Sequence, residues 1–80
     1  MKPTDYKPVD CGLHSEYERL IIQRRSCKLG WQDASGTVHI QVVTPTNLYT
    51  RTSEEFMVVT DAAGVTHAIR LDRIRHCTPV

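Results

Sequence analysis

Two tight turns of nearly the same shape set the frame of this chain. Asp33-Ala34-Ser35-Gly36 and Asp61-Ala62-Ala63-Gly64 each begin with an aspartate and end with a glycine free to take positive φ. Both stand between runs of strict alternation. Ahead of the first, Cys27, Leu29 and Trp31 alternate with Lys28, Gly30 and Gln32; after it, Val38, Ile40 and Val42 alternate with Thr37, His39 and Gln41. That pattern predicts a β-hairpin ended by Pro45, with His39 toward solvent and Val38, Ile40 and Val42 on its apolar side. Asn47 to Thr52 is weakly patterned and fits a short strand at most. Phe56-Met57-Val58-Val59-Thr60 is apolar on both faces and reads as a central strand. After the second turn, Val65, His67, Ile69 and Leu71 alternate with Thr66, Ala68 and Arg70, which half-covers His67 on the apolar face. A last short strand spans Arg73 to His76.

The chain before Cys27 reads differently. Pro3 and Pro8 make residues 1–10 an extended lead-in. Ser15-Glu16-Tyr17-Glu18 has the form of a capping box. Leu13, Tyr17, Leu20 and Ile21 fall on one helical stripe, and Arg24 and Arg25 suit a helix C-terminus. The expected helix covers about residues 11–25, starting at Ser15 by its cap or nearer Cys11 by its stripe. Residues 26–76 supply the strands. The fold class that follows is mainly β with one N-terminal α-helix: a small, strongly bent antiparallel sheet or barrel of five to seven short strands, one domain over 1–80. Opposite the apolar stripe lie Ser15, Glu18, Arg19 and Ile22, of which Ile22 is out of place on a solvated face.

Several function classes are disfavoured. A domain of 80 residues buries only about 60–65% of its unfolded surface, which leaves no volume for a deep substrate cavity. No enzyme is expected. The four glycines stand singly at 12, 30, 36 and 64, so no phosphate-cradling loop is present. His39 and His67 fall in different strands and His76 adjoins Cys77, which is not metal-ligand spacing; neither metal nor cofactor is expected. No apolar run reaches the roughly 18 residues of a membrane span, and Met1 to Tyr6 carries no apolar leader core. Three cysteines without a CxxC pair point to reduced thiols and a cytoplasmic protein, with Cys27 a small buried hydrophobe. Net charge is +1, but Arg19, Arg24, Arg25 and Lys28 cluster with no acid among them, downstream of Asp5, Asp10, Glu16 and Glu18. Trp31 and Phe56 fall on core positions. Tyr49, near Arg51, is the exposed aromatic that RNA stacking would use.

Three stretches carry a family resemblance. Tyr6-Lys7-Pro8-Val9-Asp10-Cys11, Glu55-Phe56-Met57-Val58-Val59 and Ile69-Arg70-Leu71-Asp72-Arg73-Ile74 follow one another as in the Rho-binding antiterminators of Rof type. Tyr17-Glu18 lies where that family has an apolar residue followed by glutamate. The likeness runs from about Tyr6 to His76 and implies an Sm-like β-fold with an N-terminal helix. It also implies a partner, the RNA-loading (primary-site) domain of the hexameric termination factor Rho. Occupying that site competes with RNA and prevents termination. Asp10, Glu16 and Glu18 carry over as contacts by type, and His14 and Ser15 by position; Arg19 and Ile22 join them on the same helix face. The family is acidic between the cysteine and the helix, whereas Gly12-Leu13-His14-Ser15-Glu16 holds one acid. A different expectation is a small Sm-like RNA-binding module that works through Tyr49 and Arg51.

Overall fold

The computed structural model describes residues 6–80. Residues 1–5 of the expected lead-in lie outside the described residues. One helix, α1 (Cys11–Ile22), precedes strands β1 (Cys27–Gln32), β2 (Val38–Arg51), β3 (Glu54–Asp61), β4 (Thr66–Arg70) and β5 (Ile74–Pro79). A 3-10 turn, Leu71–Arg73, joins the last two strands. The strands form one antiparallel five-stranded sheet in the order β4-β3-β2-β1-β5. This is the mainly β class with an N-terminal helix that the alternation predicts.

The helix starts at Cys11, the earlier of the two expected starts, but its cap is Asp10 and not Ser15. Asp10, in extended backbone, accepts a hydrogen bond from the Leu13 amide at 2.8 Å and so satisfies a free donor of the first turn. Ser15 lies inside the helix, and Glu18 bonds to His14 instead of reaching back to it. The C-terminus comes earlier than Arg25. The Arg25 amide donates to the Leu20 carbonyl at 3.0 Å and the Arg24 amide to that of Ile21 at 3.1 Å, a Schellman closure with Arg24 at φ 51°. Tyr17 and Leu20 are buried, while Leu13 is exposed and drops out of the stripe.

Strand β2 departs most from expectation. Its first half pairs with β1 and its second half with β3, with Val43 opposite both Cys27 and Asp61. Pro45 does not end the strand. It sits beside a bulge, where the missing N–H is tolerated, and Asn47 to Arg51 continue as the same strand. The extra residue is Thr46, and it reverses the pleat: Pro45 is buried before it, and Leu48 faces Met57 after it.

The register also inverts the expected face of the first hairpin. Trp31 stands opposite His39 and Leu29 opposite Gln41, so His39 and Gln41 share the inner face of β1. Val38, Ile40 and Val42 are turned outward and are 60%, 59% and 50% exposed. A strand admits no compromise between its faces: once Trp31 takes the core, its neighbour's odd positions follow. The core comprises Tyr17 and Leu20 of α1, Cys27, Leu29 and Trp31 of β1, and Val43, Met57, Val59, Ile69 and Leu71 from the rest, with Tyr6 at its rim. Phe56, expected in the core, is half-buried and pairs with Tyr49.

Among the described residues, three non-glycine residues have positive φ: Arg24, and Thr52 and Ser53 in the two-residue turn between β2 and β3 (φ 52° and 64°). Glycine removes about 1–2 kcal/mol of left-handed strain and returns roughly half of that as chain entropy. Arg24→Gly and Ser53→Gly should therefore each stabilise the fold by about 0.5–1 kcal/mol, read as a higher urea midpoint with an unchanged m-value.

Candidate functional site

The expected contact residues occupy the solvent side of α1. Ser15, Glu16, Glu18, Arg19 and Ile22 are exposed, Asp10 is the exposed cap, and His14 is half-buried. Ile22 is 79% exposed, the most open of the large apolar side chains among the described residues. It borders a groove of about 300 Å³ between α1 and β2, which His14, Glu18 and Ile21 line on one side and Asn47 and Leu48 on the other. The acids on this face are not free of partners. Glu16 approaches Arg19 at 3.4 Å, and Glu18 receives His14 Nδ1 at 2.8 Å. Both carboxylates remain more than half exposed, at 57% and 55%, so these pairs hold geometry more than they add stability.

His14 also bonds Glu55 of β3, through Nε2 at 2.9 Å. The two contacts, one from each ring nitrogen, clamp the first turns of the helix to the sheet.

The alternative pair lies elsewhere. Tyr49 is 36% exposed and stacks on Phe56, with ring centroids 5.1 Å apart and planes 14° from parallel; Arg51 is exposed at the end of β2. One face of Tyr49 is thus already occupied.

A third feature, absent from the expectations, joins the two hairpins. In each turn the leading aspartate uses both oxygens. Asp33 Oδ1 accepts from the Ser35 hydroxyl at 2.6 Å and from the Ser35 and Thr37 amides, while Oδ2 holds His39 Nε2 at 2.7 Å. Asp61 Oδ1 accepts from the Ala63 and Val65 amides, while Oδ2 holds His67 Nε2 at 2.9 Å. Both histidines meet Trp31, His39 stacked at 5.1 Å and His67 tilted at 5.9 Å. The Asp-Ala-x-Gly-x-x-His pattern therefore recurs, at 33–39 and 61–67, and is a short internal repeat that a reading limited to the turns misses. His39 is an inward clasp, not a solvent-facing side chain. Among the described residues no three His, Cys, Asp or Glu side chains converge as a metal site needs. Cys27 is fully buried beside Cys77, whose thiol is pushed up by the neighbouring thiol and by burial.

The three stretches that carry the family resemblance meet in space. The Lys7 amide donates to Asp72 Oδ2 at 3.1 Å, and Arg70 grips the same carboxylate with Nε at 2.6 Å and Nη2 at 3.0 Å. The Arg70 guanidinium lies 5.8 Å from the centre of the Tyr6 ring. Burial, with Glu55 and Asp72 nearby, pushes the Tyr6 phenol up to about 12. Residues 49 to 65 positions apart thus build one structural knot, which ties the segment before α1 to the β4–β5 turn.

No protein-family model matches this chain, and no curated protein matches it either. Among solved structures it is similar to proteasome accessory factor B/C (PafBC) of Arthrobacter aurescens, with a TM-score of 0.76 at 19% sequence identity. The match spans 94% of this chain and 12% of that one. At that identity the likeness is one of fold.

The clasps make the stability of the chain depend on acid. The Ser35 hydroxyl, then His39 and the turn amides, hold the Asp33 carboxyl well below the usual carboxylate range; His67 and the Val65 amide lower that of Asp61. Depressed values of this kind contribute stability that is complete above about pH 4 and is lost as pH falls through the folded-state values. The double variant Asp33→Asn and Asp61→Asn should lose less stability between neutral pH and pH 3 than the parent, measured by urea unfolding. An equal loss would mean that the clasps do not carry the acid response.

Proposed function

We propose that this chain is a non-enzymatic inhibitor of Rho-dependent transcription termination. It binds the RNA-loading domain of Rho through the outer face of α1 and keeps RNA from that site. The observation that carries this reading is the combination, on one helix, of the most exposed large apolar side chain among the described residues with a set of carboxylates. Ile22 borders the α1–β2 groove together with Glu18, and Glu16 and the cap residue Asp10 are exposed on the same helix segment. Carboxylates so placed can stand where phosphates stand in a basic groove, while a desolvated isoleucine supplies the anchor. The resemblance supports the same partner, since the residues that carry it also form the knot that holds α1 in place.

Such a contact divides the work between rim and centre. Rim charges set the rate of encounter, and buried anchors set the rate of escape. Each acid is partly offset within the molecule, Glu18 by His14 and Glu16 by Arg19. The double change Glu16→Lys and Glu18→Lys should therefore slow association with purified Rho. Ile22→Ala should speed dissociation, by roughly 1–2 kcal/mol. Neither change touches the helix cap, which is Asp10, and circular dichroism checks that the helix survives. Pull-down with immobilised Rho, repeated with oligo-cytidine as competitor, tests the reading as a whole. Capture that oligo-cytidine reverses is the expected result. A chain that is not captured, or is captured equally with and without the competitor, is not such an inhibitor.

A further inference from the structure

Two adjoining clefts lie apart from α1, and no described residue of the helix lines either. The first, of about 280 Å³, has an apolar wall of Trp31, Phe56, Ala68 and Ile69. The second, of about 300 Å³, ends at Lys7 and Arg75. Gln32, Asp33, Arg70 and Arg73 line both, so the two form one continuous depression. Their charges differ. In the first cleft Arg70 and Arg73 are balanced by Asp33 and Glu54; in the second, Lys7, Arg70, Arg73 and Arg75 face only Asp33 and Asp72.

The cations are not equally available. Arg70 is committed to Asp72, and Arg75 is held by the Gln32 side chain at 2.9 Å and the Asp72 carbonyl at 3.0 Å. Arg73, half-buried on the 3-10 turn where the clefts join, makes no hydrogen bond or ion pair with any described residue. Fixed neighbours on both sides leave its guanidinium fork to a ligand, and a fork of that kind suits a phosphate.

We propose that this double cleft binds one nucleotide unit of single-stranded nucleic acid. The base lies against Phe56, whose ring already stacks with Tyr49, and the phosphate lies on Arg73 and Lys7. The order follows from charge: the balanced, aromatic cleft takes the base, and the cationic one takes the phosphate. A free nucleoside monophosphate shares this chemistry with a nucleotide inside a strand. The site is separate from the helix face, so it can fail without bearing on Rho capture.

The test uses the full chain alone and a fluorescein-labelled octa-cytidine RNA, with binding read by anisotropy. Arg73→Gln should weaken binding about tenfold, the loss of a charge-assisted contact, and should lower the salt dependence. Phe56→Leu should weaken binding as well, with folding checked by circular dichroism. Arg51→Gln, outside the clefts, should leave binding unchanged. Competition by cytidine monophosphate well below the concentration needed for inorganic phosphate would show that the free nucleotide also fits. Competition by neither, with the Arg73→Gln loss intact, would assign the strand as the ligand. The proposal is overturned if octa-cytidine does not bind, if Arg73→Gln binds as the parent does, or if only Arg51→Gln loses binding.

Discussion

The inward placement of Trp31 on β1 fixes more of this structure than any other contact. It is 5% exposed, and truncating a buried aromatic of that size costs about 3–5 kcal/mol, a large part of what a domain of 80 residues can muster. Its position determines the register meaning of β2: residues opposite inward β1 positions must face inward too, so His39 and Gln41 enter while Val38, Ile40 and Val42 leave. The two aspartate turns then finish what Trp31 begins. Each orients one histidine against the indole, so two hairpins far apart in sequence are closed over a single ring.

The second constraint is the Asp72 carboxylate. It accepts from the Lys7 amide and from Arg70, with Arg70 and Asp72 only 11% and 10% exposed at their side chains. Such a pair adds little net stability, but losing one member strands the other charge. Its value here is positional. Lys7 precedes the Asp10 cap by three residues, so the knot sets where the chain enters α1, and His14 with Glu55 sets how the helix lies on the sheet. The 3-10 turn that carries Asp72 also carries Arg73, which links the scaffold to the clefts.

Much of this is legible in the sequence because it is local. The class, the turns, the inner face of β1 and the exposure of Ile22 and Tyr49 follow from period and turn chemistry. What is not legible depends on residues far apart in the chain. Pro45 reads as a strand end, since nothing nearby announces the Thr46 bulge that accommodates it. Ser15 reads as a cap because its spacing to Glu18 is right, but Asp10 caps five residues earlier and His14 takes Glu18. Val38, Ile40 and Val42 alternate as a core face should, and only the pairing with β1 turns them out. Arg73 looks like any other arginine until its neighbours are seen to be engaged while it pairs with no described residue. The histidines of the clasps could have been found, because each stands six residues after its aspartate in both turns.

The distribution of charge bears on how an inhibitor built on this fold would hold a basic partner. With a net charge of +1, the molecule as a whole has no long-range attraction for a cationic groove. Its helix face is itself mixed, since Arg19 sits against Glu16 and His14 against Glu18. Carboxylates so offset release few counterions from a partner and screen easily. A strongly acidic chain could bind such a groove largely by charge. This chain would have to rely on Ile22 and the groove beside it, where Ile21 and Leu48 add apolar surface. Its complex should then be comparatively tolerant of salt and sensitive to the shape of one side chain, the reverse of the pattern expected of a phosphate mimic acting through charge alone.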